Sequence, residues 1–325
     1  MKLLLNMNWD VSAVTEMDKI NKALEDAGYE LFLNNCGRRL SEDELIEQLQ
    51  GMDAFLGTTN PFTERVFEAC PQLKIIARTG VGVETIDIEA ATKHNVAVTS
   101  TPGAGAEAVA EYAMCMMCTV ARRVVEADYG AKHGDWSRFV GGALFHKTLG
   151  IVGTGNIGRT LAKIASGFDM KVIAYDAFRN EEWAKENNVT YCDSLEDLLR
   201  VSDFVSVHVP LIPSTIDLIG KEELALMKPT AYIINCARGG IINEGALYEA
   251  LRDKVIAGAG LDVFVSEPVN ADNPLLTLPN CICSTHNAGS SLDGKNRLLE
   301  FTARNLIEFA QGKKPYGLLN PEIMK

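Results

Sequence analysis

Three glycines near the middle of the chain, Gly153, Gly155 and Gly158 in LGIVGTGNIGRTLAKIA, stand in a G-x-G-x-x-G spacing. That spacing suits the binding of a dinucleotide pyrophosphate. Gly153 permits a tight turn after a strand, Gly155 lets the backbone approach the phosphates, and Gly158 lets the following helix pack closely on the strand. The helix N-terminus offers unpaired N–H groups and partial positive charge to the anion. Alone the string is weak, because glycines also punctuate turns. Its context is stronger: TLGIVG reads as a buried strand before it, IGRTLAKIASGF as a helix after it, and KVIAYD as the next strand, followed at its end by Asp176, 18 residues past Gly158. A carboxylate there accepts hydrogen bonds from the adenosine ribose and repels a 2′-phosphate, which favours NAD over NADP. Arg179 nearby keeps NADP in view, and a solvated strand-end carboxylate is the structural alternative for Asp176.

Two series of short apolar runs surround this unit. In the first hundred residues KLLLNM, YELFLN, DAFLGT, LKIIAR and VAVTS read as strands with helical patterns between several of them. Ser41 and Glu44, ahead of LIEQLQ, form a capping-box signature. A long helical pattern, AEAVAEYAMCMMCTVARRVVEADYGAKHG, then leads through the turn-rich GDWSRFVGGALFHKT to the glycines. Beyond them FVSVHVP, AYIINCA, IAGAGLDVF and CICST read as strands, with SLEDLLRVS, KEELALMK and EGALYEALRDK as helices and NRLLEFTARNLIEFAQG closing the chain. Strands alternating with helices pair in parallel through βαβ crossovers, so the fold class is α/β, in two units.

The bulk numbers agree with two domains: 325 residues, 47% hydrophobic and 23% charged, are enough to bury a large core. A net charge of -12 argues against a basic footprint for nucleic acid or an anionic membrane, so the expected partner is a small molecule. No run reaches the roughly 18 uninterrupted apolar residues of a membrane span, and the N-terminal leucine run is too short for a signal peptide. Eight cysteines, thinly spread, point to a reducing cytoplasm. Cys115-x-x-Cys118 lies in an apolar helical run with no second ligand pair, and reads as two small buried hydrophobes rather than a redox or metal pair. No metal is expected.

Eight motifs in order, RTGVGVETIDIEAA, TPGAGAEAVAEYA, GDW, TLGIVGTGNIG, HVPLIPST, INCARGGIINEGAL, AGLDVFVSEP and THNAGSS, carry a family likeness. From about Asp53 to the C-terminal helix the chain resembles the D-isomer-specific 2-hydroxyacid dehydrogenases, which include phosphoglycerate, glyoxylate/hydroxypyruvate, D-lactate and formate dehydrogenases. The resemblance implies two Rossmann-like domains with parallel sheets, the NAD-binding domain being inserted into a discontinuous substrate domain. Residues 1–100 with 290–325 would form the substrate domain and residues 101–289 the NAD-binding domain, with the active site between them. It also implies a homodimer packed through the helix around Ala106 to Tyr129; the hydrophobic pattern alone suits an internal core helix equally.

Residue by residue, the resemblance implies catalytic roles for Arg238 in CARGG, Glu267 in VSEP and His286 in STHNAG. Oxidising a 2-hydroxy acid removes a hydride from carbon and a proton from the hydroxyl, so a base with pKa near neutrality is needed, and histidine meets that need. Glu267 paired to His286 would orient it and favour imidazolium. Arg238 offers a planar fork for the substrate carboxylate and carbonyl oxygen. A loop carboxylate for Glu267, a salt bridge or phosphate contact for Arg238 and a surface histidine for His286 are the structural alternatives. The implied cofactor set is Gly153, Gly155, Asn156, Ile157, Gly158, Asp176, His208, Val209, Pro210, Cys236, Ala237, Asp262 and Gly289. Asp262 reads almost as well as a structural strand-end carboxylate, and His208 as a packed strand histidine. Arg78, Val81 and Gly82 resemble the loop that receives the substrate carboxylate, with Arg78 either charging that pocket or forming a structural pair.

The loop motifs look most like phosphoglycerate dehydrogenase-type sequences, although Glu84 stands where the family usually has Asp. Many phosphoglycerate enzymes carry an arginine in the segment DAFLGTTNPFT, at the position aligned with Gly57. Its absence brings in the alternative, a hydroxypyruvate, glyoxylate or other 2-oxo acid reductase. An NAD-sensing binding protein or co-repressor is the reading from a different class, which turnover on 2-oxo acids separates from an enzyme.

Overall fold

The alternating apolar runs form the strands of two parallel sheets, seen in a computed structural model that describes residues 1–7, 14–34 and 36–324. In the first, β1 (Lys2–Asn6), β2 (Glu30–Asn34), β3 (Ala54–Gly57), β4 (Ile75–Arg78) and β5 (Ala97–Thr99) stand in the order β2-β1-β3-β4-β5. β3, β4 and β5 are buried at every residue, as helices on both faces of a parallel sheet require. Leu299, Ala303 and Leu306 of the C-terminal helix, Leu292–Ala310, join Leu3, Leu5 and Ala77 in one of its cores. Ser41 and Glu44 close the expected capping box at the start of the helix Glu42–Leu49.

The second sheet contains β6 (Thr148–Val152), β7 (Lys171–Tyr175), β8 (Thr190–Tyr191), β9 (Phe204–Val207), β10 (Tyr232–Asn235), β11 (Gly258–Leu261) and β12 (Cys281–Cys283) in the order β12-β11-β10-β9-β6-β7-β8. The direction of winding reverses between β6 and β9, and open α/β sheets bind ligands at such a switch point, beyond the carboxyl ends of the strands. The edge strand β8 has two residues, too few for a periodic signal, and the sequence pattern did not show it.

The chain folds into two compact units, one of residues 1–105 with 290–325 and the other of residues 106–289. Residues 101–105, which the sequence assigned to the second domain, group with the first. Backbone and side chain of Thr101 explain this: its N–H donates to the Gly80 carbonyl and its Oγ1 accepts from the Gly80 N–H, both at 3.0 Å.

The long helical pattern is two helices, Ala106–Arg122 and Val124–Lys132, broken at Arg123 with φ 53°. The Ala121 carbonyl, which a continuous helix would give to Val125, instead accepts the Gly142 N–H at 2.8 Å. Nine residues of the first helix are buried, among them Met114, Met117 and Ala121, so it is a core helix of its own unit. Cys115 corrects the sequence reading: it falls on the outer face with Glu107, Glu111 and Arg122 and is exposed, while Cys118 is half-buried. Among the described residues no group of side chains suited to a metal occurs, and no helix is long and apolar enough to cross a membrane.

The C-terminal segment completes the first sheet through Asn320, which is 1% exposed. Its Oδ1 accepts the Val98 N–H at 2.9 Å and its Nδ2 donates to the Val96 carbonyl and Thr92 Oγ1. Asn320→Ala leaves the Val98 and Val96 backbone groups buried without partners, and chemical denaturation should register a loss of about 1–3 kcal/mol; unchanged stability would show that this amide is not a structural tie.

Candidate active site

The glycine turn follows β6 and opens the helix Asn156–Ser166. Gly153 has φ +100°, and a Cβ on it would press on the His208 backbone at 2.8 Å. A Cβ on Gly158 would overlap the Gly153 carbonyl, so the helix sits directly on the turn. Around Gly155 the opposite holds, with no heavy atom within 4 Å of a Cβ position. This residue is the N-cap, and no side chain caps the Asn156–Ser166 helix, whose first turn includes Ile157. Open space above uncapped amides is what a pyrophosphate needs, so these residues fit the dinucleotide the spacing implies.

Asp176 is half-buried at the end of β7. Its Oδ2 accepts from the Thr154 N–H at 2.6 Å and Thr154 Oγ1 at 2.9 Å, and its Oδ1 accepts from the Phe178 N–H at 2.8 Å. The carboxylate is therefore fixed beside the glycine turn. Thr154, inside the motif, is not signalled by the glycine spacing, which concerns room for the backbone rather than the side chain between the glycines. Arg179 turns to the other strand: it donates to the Cys192 carbonyl at 2.7 Å, pairs with Asp193 and lies over the Tyr191 ring.

At the end of β9, the His208 N–H donates to the Val152 carbonyl and its Nε2 shares a hydrogen bond of 2.9 Å with Ser206. Burial pulls its pKa down to about 4, so the imidazole is neutral near pH 7. Val209 packs beside Gly153, and Pro210 is exposed. At the end of β10, Asn235 is a further residue the motifs do not single out: its Oδ1 accepts the Ala237 N–H and its Nδ2 donates to the Arg238 carbonyl, folding the segment that carries Cys236, Ala237 and Arg238. Its signal is a polar residue that ends an apolar strand. Burial pushes the Cys236 thiol up, so it is a neutral group. Arg238 Nη1 donates to the Ala237 carbonyl at 2.7 Å. Gly239 next to it has no room for a Cβ, which would overlap the Phe264 carbonyl; the backbones meet there, bringing the Arg238 segment onto the segment that holds Glu267.

The histidine–glutamate pair lies beside this contact. His286 Nδ1 and Glu267 Oε2 are 2.6 Å apart, and Glu267 Oε1 accepts the Phe264 N–H at 3.0 Å. The Glu267 hydrogen bond raises the His286 pKa against the effect of burial. Burial works to raise the Glu267 carboxyl, but hydrogen bonds from His286 and the Phe264 amide outweigh it and hold the pKa below the usual carboxylate value. With Nδ1 engaged by Glu267, Nε2 is the ring nitrogen outside this pair.

Asp262 is 1% exposed and is engaged by the turn that carries His286. Oδ1 accepts from Ser284 Oγ at 2.6 Å and the Asn287 N–H at 2.7 Å, Oδ2 accepts from the Ala288 N–H at 2.8 Å, and the Asp262 carbonyl accepts the His286 N–H. This is the structural strand-end role, filled by a buried carboxylate. Gly289 follows, with open space at its Cβ position.

In the other unit, Arg78 is 9% exposed and braces its own loop, donating through Nε to the Gly82 carbonyl at 3.0 Å and through Nη1 to the Thr79 carbonyl. These bonds tie the Arg78 guanidinium to its own loop. Val81 is exposed at the loop tip.

Residues 114–288 match the family described as D-isomer specific 2-hydroxyacid dehydrogenase, NAD binding domain. The chain is 43% identical over 292 residues to a glyoxylate reductase of Korarchaeum cryptofilum, covering 88% of each chain. It is 40% identical over 284 residues to a D-3-phosphoglycerate dehydrogenase of Methanocaldococcus jannaschii, covering 86% of this chain and 54% of that one. Among solved structures, a D-lactate dehydrogenase with NAD+ from Lactobacillus jensenii is 30% identical, with a TM-score of 0.81 over 98% of this chain and 99% of that one.

The pair geometry sets a measurable titration. In NMR of labelled histidine, His286 should titrate above the ordinary histidine value of about 6.5, and Glu267→Gln should bring its midpoint down. A midpoint that ignores the substitution would mean that Glu267 does not hold the imidazolium.

Proposed function

Because the chain belongs to the D-isomer-specific 2-hydroxyacid dehydrogenase family and is an NAD-dependent oxidoreductase acting on CH–OH groups, we propose that it reduces a small unphosphorylated 2-oxo acid, glyoxylate or hydroxypyruvate, to the 2-hydroxy acid. The observation that carries the choice of substrate is Gly57. It is the last residue of β3, fully enclosed, and even a Cβ would press on the Asn6 carbonyl and the Phe55 ring at 2.5 Å. An arginine cannot occupy this position in this packing. The strand end is instead bordered by buried neutral amides, Asn60 donating to Asn6 Oδ1 at 3.0 Å. Arg65, the next cation along the chain, pairs with Glu42 and Asp43. A phosphorylated substrate would have to find its counter-charge elsewhere. The glyoxylate reductase of Korarchaeum cryptofilum, matched over 88% of its length, supports the same reading. The phosphoglycerate reading keeps the support of the loop motifs and of the 40% identical relative.

NAD, when bound, supplies the hydride acceptor or donor. The chain supplies the rest. Glu267, itself held by the Phe264 amide, keeps the His286 ring oriented and charged, so that Nε2 delivers a proton to the carbonyl oxygen at C2 as it becomes a hydroxyl. Arg238 presents its fork to the substrate carboxylate and stabilises charge developing on that oxygen. In the first unit, Arg78 braces the loop of Val81 and Gly82 through the Gly82 and Thr79 carbonyls. His208, uncharged near neutrality, is not the proton donor.

Purified protein assayed for NADH oxidation with glyoxylate, hydroxypyruvate, pyruvate and 3-phosphohydroxypyruvate should prefer the unphosphorylated acids, and preference for the phosphorylated one would restore the phosphoglycerate reading. His286→Ala should lower kcat by about 10²–10⁴-fold while leaving NADH affinity nearly intact. Reduction should fall as pH rises through the raised His286 pKa, at lower pH in Glu267→Gln than in the parent. Asp176→Ala should weaken NADH binding and improve relative use of NADPH; an unchanged ratio would remove Asp176 from cofactor selection.

A further inference from the structure

We propose that Cys281 and Cys283 form an oxidisable dithiol, which hydrogen peroxide closes to a disulfide within strand β12, loosening the turn that holds His286. The two residues alternate along the strand, so their side chains fall on one face, and their sulfurs are 3.8 Å apart. Both are half-buried, and β12 is an edge strand of its sheet, paired with β11. A hydrogen bond from the Cys281 thiol holds the Cys283 thiol below its ordinary pKa, which makes Cys283 the sulfur that reacts first.

The chemistry balances with one peroxide. Cys283 thiolate attacks a peroxide oxygen, the O–O bond breaks, and a sulfenic acid and hydroxide form. Cys281 sulfur then attacks the Cys283 sulfur; the S–O bond breaks, and the departing hydroxide leaves as water with the Cys281 proton. Two thiols lose two electrons, and the peroxide becomes two waters.

Closure has a mechanical consequence. Alternate residues of an extended strand are about 6.6–6.8 Å apart at Cα, at the upper limit of about 6.8 Å that a disulfide spans. The sulfurs must close from 3.8 Å to about 2 Å, and because disulfides favour a Cα separation of about 5.5–6 Å, the bond draws Cys281 and Cys283 together and shortens the strand. Ser284 follows directly, with its N–H on the Leu261 carbonyl at 2.8 Å and its Oγ on Asp262 at 2.6 Å. Shortening β12 pulls Ser284 from Asp262, the carboxylate on which the His286 turn is built.

The activity arm rests on the catalytic reading of His286; the bond itself does not. After peroxide treatment and digestion without reductant, the peptide containing both cysteines should be lighter by about 2 Da, the two hydrogens lost. Glyoxylate reduction should fall roughly 10- to 100-fold, the cost of a misplaced catalytic group, and dithiothreitol should restore it. Cys281→Ala and Cys283→Ala, made separately, should each keep their turnover under peroxide, while Cys115→Ser should respond as the parent does. Absence of the lighter peptide overturns the dithiol whatever the substrate. A lighter peptide with unaltered turnover overturns the coupling to His286. If no 2-oxo acid is reduced before oxidation, the catalytic reading fails, and the His286 NMR signal then decides the coupling: a shift on oxidation supports it, and an unmoved signal overturns it.

Discussion

A single buried carboxylate, Asp262 at the end of β11, organises the turn on which the proposed chemistry depends. Taking a carboxylate out of water costs several kcal/mol unless hydrogen bonds replace its hydration. Here three donors converge on it, the Ser284 hydroxyl and the Asn287 and Ala288 amides, while its own carbonyl takes the His286 N–H. His286 is held at φ 54°, a left-handed conformation that costs a non-glycine residue about 1 kcal/mol or more. The ring of bonds to Asp262 offsets that cost. The imidazole is thereby placed before Glu267 adds its own constraint.

The second constraint is steric. Gly239 allows the segment after Arg238 to touch the backbone at Phe264, and the Phe264 amide in turn binds Glu267. Glutamate, histidine and arginine come from three separate stretches after β10, β11 and β12, and a backbone contact that admits no Cβ helps to keep them together. The carboxyl ends of parallel strands all face one way, which is why residues far apart in sequence share one rim of the sheet.

The two histidines near this rim show how environment divides one residue type between roles. His208 is half-buried beside Ser206, with desolvation drawing its pKa down to about 4, whereas the carboxylate beside His286 draws its pKa up. The opposite directions arise from partners and burial rather than from the imidazole itself.

Much of this was legible in the sequence. The strand runs, the capping box at Ser41 and Glu44 and the glycine turn with Asp176 follow from local pattern, because hydrophobic period and turn chemistry are properties of short stretches, while the pairing of His286 with Glu267 was implied only by the family resemblance. Tertiary structure decided what depends on partners distant along the chain. It broke the long helix at Arg123 by giving the Ala121 carbonyl to Gly142, and it turned Cys115 outward. It folded Arg78 beneath its own loop, tied Arg179 to the neighbouring strand, and enclosed Gly57 so that no side chain fits there. Composition and spacing describe what a side chain is able to do; which neighbours occupy its hydrogen-bonding groups is fixed only when the sheets assemble.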